Sequence, residues 1–131
     1  LPDKAVYLVE PRRKRANFLR HVARELKLPG LYVIESRIEN LLGERLPAIM
    51  ETVTRGFSDI DGFLRISGDL LTPGGISILM QGPKGTALLD GVRSHLPKFG
   101  LLAERPVSFE LPFGRDRRTL LTFRKLGAPV T

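Results

Sequence analysis

The stretch AVYLVEPRRKRANFLRHVARELKLPGLYVIE, residues 5–35, joins two short apolar runs through a helical pattern. Residues 5–10 and 31–35 are apolar on both faces, as strands covered by helices on both sides are. Between them, apolar residues at helical spacing predict a helix over 12–27 with one basic face and one buried stripe, formed by Phe18, Leu19, Val22, Ala23 and Leu26. Strand, helix and strand in this order predict a parallel βαβ unit.

The rest of the chain continues the alternation. SRIENLL (36–42) predicts a short helix, and two strand–helix pairs follow, METVTRGF with SDIDGFLRISGDLL (50–71) and ISILMQ with KGTALLDGVRSHL (76–96). TPGG (72–75) reads as a turn. The last segment, RPVSFELPFGRDRRTLLTFRK (105–125), has two strand patterns around a loop that contains glycine, which predicts an antiparallel β-hairpin.

Composition limits the kind of protein. The chain has 131 residues, of which 42% are hydrophobic and 27% charged, so we expect one domain over 1–131. No apolar run approaches the ~20 residues of a membrane helix, and the net charge of +7 favours a polyanionic partner such as nucleic acid. Zero cysteines exclude disulfides and cysteine metal sites and fit a cytoplasmic location. We expect neither a metal nor a membrane partner.

Five segments in register carry a resemblance that covers nearly the whole chain. They are LVEPRRKRANFLRHVARELKL, SRIENL, VTRGF, LLTPGGISILMQG and FELPFGRDRRTLLTFRK. The chain resembles the small-subunit ribosomal RNA methyltransferase G family, also called glucose-inhibited division protein B, within the class I S-adenosylmethionine-dependent methyltransferases. The resemblance implies a Rossmann-like α/β sheet with a C-terminal antiparallel hairpin. It also implies methyl transfer from S-adenosylmethionine to a guanine N7 of small-subunit ribosomal RNA.

The resemblance assigns residues to a cofactor site. Glu10 follows the first strand of the chain, where an acid accepts hydrogen bonds from the ribose of the cofactor; the alternative is that Glu10 caps the next helix. Arg37, Ile38 and Glu39 are placed at the adenine, although SRIEN is explained equally well as a helix start capped by Ser36. Arg55 ends a strand near the expected transfer centre, with a structural salt bridge as the alternative.

Five cations are assigned to RNA. Four of them, Arg12, Arg13, Lys14 and Arg15, stand at a helix start, where the helix dipole disfavours positive charge. They would bind RNA phosphates, or they form a solvated helix face. The fifth is Lys84. The family often carries a lysine directly before the first glycine of this loop, but Gln81 stands at that position here.

The expected chemistry suits what the sequence lacks. Guanine N7 carries a lone pair and no proton, so methylation needs no general base and positioning suffices. The two histidines, His21 and His95, lie in helical patterns and are assigned to the surface. The sequence lacks the Asp/Asn-Pro-Pro-Tyr motif of exocyclic amino methylation and the cysteines of pyrimidine C5 methylation.

One absence makes the chain a partial catalytic domain in our interpretation. The class carries a glycine-rich loop after its first strand, and no such turn precedes Glu10, because the first glycine is Gly30. We therefore expect the first strand and its loop to lie upstream and the chain alone to be inactive. A non-catalytic basic α/β module that binds RNA is the main alternative, a dinucleotide-binding domain ranks lower, and the oligomeric state stays open.

Overall fold

The computed structural model describes residues 4–43, 46–55 and 59–127, which form two compact units, Leu1–Arg45 and Leu46–Thr131. In the first unit, the elements alternate as the sequence predicts: β1 (Val6–Val9), α1 (Arg13–Glu25), β2 (Leu31–Ile34) and a 3-10 helix (Ile38–Gly43). β1 and β2 form a two-stranded parallel sheet. The predicted βαβ unit is confirmed.

The buried stripe predicted for α1 is wrong at its two ends. Phe18 and Leu26 are 63% and 62% exposed, and Ala16 is the one residue of the helix that is buried. A sheet of two four-residue strands offers too little surface within this unit to cover a stripe that runs the length of a 13-residue helix. Leu19, Val22 and Ala23 are half-buried.

The second unit holds a five-stranded sheet. Its strands are β3 (Ile49–Arg55), β4 (Leu71–Gln81), β5 (Leu101–Ala103), β6 (Val107–Glu110) and β7 (Arg117–Lys125). The order is β3-β4-β7-β5, with β6 also paired to β7. β3 and β4 are parallel, whereas β7 is antiparallel to β4, β5 and β6. The β6–β7 pair confirms the predicted C-terminal hairpin.

Helices of this unit connect the strands and complete its core. They are α2 (Ile60–Leu70), α3 (Gly85–Val92), a 3-10 turn (Arg93–His95) and α4 (Leu96–Phe99). Leu79, Leu121 and Phe123 of the central strands are buried together with residues of the helices, among them Leu64, Ile66, Leu89 and Leu96. Each such side chain contributes about 1.5–3 kcal/mol when fully buried.

The turn predicted at 72–75 is instead a bulge within β4. Ile49 pairs with Leu71 and Glu51 pairs with Ile76, so two steps along β3 match five along β4. Gly74 has a φ of +85°, which a residue without a side chain adopts freely. The glycine was recognised correctly as a break, but the strand resumes in the same sheet.

Candidate functional site

An open cleft of about 560 Å³ lies in the second unit, where β3 and β4 end. Arg55 is the last residue of β3, Gln81 is the last residue of β4, and Gly82 follows it. Because β3 and β4 are parallel, their carboxyl ends meet at one edge of the sheet, which is where α/β folds bind ligands. Phe109, Leu111 and Arg118 of the hairpin line the cleft as well.

The strand register explains which side chains gather on one face. Arg55 pairs with Met80, Met80 with Leu120, and Leu120 with Val107, so these four residues share a face of the sheet. Phe109 and Arg118 pair with each other and lie on the same face, because Phe109 comes two residues after Val107 and Arg118 two residues before Leu120. The cleft thus combines an apolar floor with two guanidinium groups.

Both arginines of the cleft are available to an anion. Neither Arg55 nor Arg118 forms an ion pair among the described residues, so the structural salt bridge considered for Arg55 is not found there. In the part of the chain that the structure describes, the Arg118 guanidinium donates one hydrogen bond, to the main-chain oxygen of Arg117 at 3.2 Å. The sequence alone identified Arg55 as a site residue but not Phe109 or Arg118. These two residues reach the cleft only because β7 pairs with β4 and with β6, which are separate segments of the chain.

In the first unit, Glu10 lies directly after β1 and is half-buried. Its Oε1 accepts a hydrogen bond at 3.3 Å from the main-chain N–H of Arg12, the residue that precedes α1, whereas α1 itself has no side-chain cap hydrogen bond among the described residues. That single long bond leaves most of the acceptor capacity of the carboxylate free. Glu10 can therefore receive hydroxyl donors from a ligand as well.

Residues 37–39 follow β2, at the same edge of the two-stranded sheet as Glu10. Ile38 is half-buried and opens the 3-10 helix, while Arg37 and Glu39 are exposed. The Ser36 hydroxyl donates to the Arg37 carbonyl oxygen at 3.0 Å. The segment stays assigned to the adenine as a prediction.

Of the four cations at 12–15, Arg13 forms an ion pair with a described residue and the other three do not. Arg13 lies 3.4 Å from Glu35, which also pairs with Arg20 at 3.4 Å. Arg12, Lys14 and Arg15 are exposed and form no ion pair in the described part of the chain. Lys84, at the start of α3, is likewise exposed and has no acidic partner there. Four of the five cations assigned to RNA are thus free to meet phosphates.

The described residues contain neither a metal-binding group nor a membrane-spanning helix. No group of three or more His, Cys, Asp or Glu residues that could hold a metal ion occurs within 4–43, 46–55 and 59–127. In the same residues, no helix is long and apolar enough to cross a membrane. The His95 Nδ1–H donates to Asp61 Oδ2 at 2.9 Å, and neither residue is among those that line the cleft.

Comparisons with known proteins agree with this architecture. Among solved structures, an rRNA methylase from Streptococcus thermophilus is similar, with a TM-score of 0.65 and 18% identity. The match covers 94% of this chain and 74% of the methylase chain. M. jannaschii TYW2, solved in complex with AdoMet, is similar as well, with a TM-score of 0.67 and 13% identity. The match covers 93% of this chain and 58% of the TYW2 chain. Both likenesses show a class I methyltransferase fold.

Sequence comparisons identify the family. The Ribosomal RNA small subunit methyltransferase G of Geobacter sulfurreducens is 36% identical over 125 residues, which are 92% of this chain and 55% of that protein. The chain thus spans about half the length of this curated relative. A family model described as rRNA small subunit methyltransferase G matches residues 1–105. The chain belongs to the rRNA small subunit methyltransferase G family.

Proposed function

We propose that this chain forms part of an enzyme that methylates the N7 atom of a guanine in small-subunit ribosomal RNA, with S-adenosylmethionine as the methyl donor. Family membership supports the reaction class and the substrate. A cytoplasmic location follows from that substrate. The structural observation that carries the proposal is the set of side chains that line the cleft.

The nine described residues that line the cleft include no Asp, Glu, His, Cys or Lys. A reaction that had to remove a proton would need such a group within hydrogen-bonding distance. Guanine N7 presents a lone pair and no proton, so its methylation needs only correct placement of the base. The lining therefore supports N7 as the acceptor better than an exocyclic amine.

Among the described residues that line the cleft, Phe109 is the aromatic one, and it is 41% exposed. An aromatic face stacks on a nucleobase and attracts a cation placed over it. Guanine becomes cationic when N7 is methylated, so stacking on Phe109 strengthens as the reaction proceeds. Arg55 and Arg118 would hold the phosphates on either side of the base.

Two residues of the first unit have the chemistry that the adenosine part of S-adenosylmethionine requires. The Glu10 carboxylate has acceptor capacity left for ribose hydroxyls, and the half-buried Ile38 offers an apolar surface for adenine. These residues fit the adenosine part of S-adenosylmethionine. When bound, this cofactor supplies an electrophilic methyl group. No glycine precedes Gly30, so this chain brings no glycine-rich turn ahead of Glu10 for the methionine part.

The exposed cations complete the proposal on the RNA side. Arg12, Lys14 and Arg15 lie next to the segment that bears Glu10, and Lys84 lies two residues after Gly82 of the cleft. RNA is held mainly through Lys and Arg contacts to phosphates, which position the strand without reading its sequence. We assign all five cations to this role, with Arg13 shared with Glu35.

The test uses a chimera in which this chain is joined to the part of the Geobacter sulfurreducens relative that lies outside the match. The chimera should transfer labelled methyl groups from S-adenosylmethionine to small-subunit ribosomal RNA, whereas the 131-residue chain should not. Phe109→Ala should slow the transfer by about 5- to 150-fold, the range that a base–aromatic stack supports. Leu102→Ala, which removes an exposed apolar side chain on β5, is the matched control.

A folded chimera that binds the RNA and transfers no methyl group would contradict the proposal. That outcome would instead support the alternative, a non-catalytic basic module that binds RNA. Equal rates for Phe109→Ala and Leu102→Ala would keep the reaction but remove the cleft as the site of the base.

A further inference from the structure

The loop that joins β6 to β7, residues 111–116, is tightly closed. The Leu111 N–H donates to the Asp116 carbonyl oxygen at 2.8 Å and closes its base. The Gly114 N–H donates to the Pro112 carbonyl oxygen, also at 2.8 Å, which makes Phe113 the centre of a three-residue turn. We call residues 111–116 the hairpin tip.

Two residues of the hairpin tip adopt a backbone conformation that costs free energy. Phe113 has a φ of 71° and Arg115 has a φ of 54°, values that a side-chain-bearing residue rarely adopts. A three-residue turn with a positive φ at its centre is the rare, strained form of the γ-turn. Glycine would meet this geometry without strain.

Burial does not compensate for the cost at Phe113. Its side chain is fully exposed, so it gains nothing from the core while it presents an aromatic ring to water. A large aromatic group in a strained turn at a fully exposed position is explained if the ring binds a partner. A stable fold alone gives no reason for it.

The charge around the ring indicates the kind of partner. Arg115, Arg117 and Arg118 lie on or next to the hairpin tip, together with Glu110 and Asp116. None of these three arginines pairs with an acid in the residues that the structure describes. An exposed aromatic ring among free guanidinium groups is the pattern that binds single-stranded nucleic acid, where bases stack and phosphates meet cations.

We propose that the hairpin tip binds an unpaired stretch of RNA, with Phe113 stacked on a base and Arg115 and Arg117 on the adjoining phosphates. A paired base would offer its face to no ring, so the contact selects single-stranded RNA. The inference rests on the proposed function for its RNA, but it assigns a second contact, outside the nine residues that line the cleft. Phe113 thereby orients the strand that enters the cleft.

The experiment exploits the absence of tryptophan from the full chain. In Phe113→Trp, the one indole reports on the hairpin tip and keeps a stacking surface. Binding of a fluorescently labelled, single-stranded RNA is followed by anisotropy, and tryptophan emission is recorded in the same titration. Emission should be quenched as the RNA binds. Phe113→Ala should raise Kd by about 5- to 150-fold, while Leu102→Ala, on β5, should leave Kd unchanged.

Each other outcome overturns the inference. RNA binding with unchanged tryptophan emission, or an equal Kd for Phe113→Ala and Leu102→Ala, would remove the hairpin tip from the contact and leave the proposed function standing. Failure of the unsubstituted chain to bind RNA would count against both. A tryptophan response to vesicles of anionic phospholipid with none to RNA would assign the hairpin tip to a membrane instead.

Discussion

Replacing Gly68 with alanine should destabilise the second unit, because this glycine sets how closely α2 approaches α4. A Cβ atom at Gly68 would lie 2.3 Å from the carbonyl oxygen of Phe99 and 3.4 Å from the Phe99 Cβ. The first distance is more than 1 Å shorter than an ordinary contact. The oxygen belongs to the backbone, so it cannot rotate away, and one helix has to move.

Gly91 provides the matched control for this substitution. It lies in α3, and a Cβ atom there meets nothing within 4 Å. Alanine gains about 0.5–1 kcal/mol over glycine in a helix, so Gly91→Ala should stabilise the chain by that amount. Gly68→Ala receives the same gain but adds overpacking of about 1–3 kcal/mol. The difference between the two variants is therefore about 1–3 kcal/mol.

Urea denaturation measures that difference as free energies of unfolding from fitted midpoints and m-values. Gly68→Ala should unfold at a lower urea concentration than the unsubstituted chain, and Gly91→Ala at a higher one. If the two variants were equally stable, α2 and α4 would not approach as described. The place of glycine at position 68 would then need a different explanation.

Three further results are expected. Thr52→Val should lower the free energy of unfolding by about 1–3 kcal/mol, since the Thr52 hydroxyl bonds both Ser67 and Ser77, which are fully buried; Thr54→Val is the control, and an equal loss there would refute this role. Lys14→Ala with Arg15→Ala should lower the log–log salt slope of RNA binding by about 0.7 per lost contact, and an unchanged slope would return both to a solvated face. In the chimera, Glu10→Gln should weaken S-adenosylmethionine binding by about 1.5–3 kcal/mol, and equal affinity by calorimetry would remove Glu10 from the site.

Local pattern predicted the elements of this fold well. Both strand runs of residues 5–35, the helix between them and the C-terminal hairpin are present, because period and turn chemistry are local properties of the chain. The exposure of Phe18 and Leu26 was not predictable in this way. It depends on how much surface the neighbouring strands offer, which helical spacing does not encode.

The site was predictable in part. Glu10 and residues 37–39 follow strands and Arg55 ends one, so their position could be inferred from the chain order alone. Phe109 and Arg118 reach the cleft through the pairing of β6 with β7 and of β7 with β4, which required the register. The hairpin tip carried a usable signal, an aromatic residue beside Gly114 and Arg115 within a turn, but its positive φ values did not follow from the sequence.

The position of the transferred methyl group tests the account most directly. Small-subunit ribosomal RNA methylated by the chimera is reduced with borohydride and treated with aniline, which cleaves the chain at N7-methylguanosine. We expect a strand break at a guanine, present only when both the chimera and S-adenosylmethionine were supplied. Methyl label that is incorporated without any strand break would place the methyl group on another atom and contradict a cleft built for guanine N7.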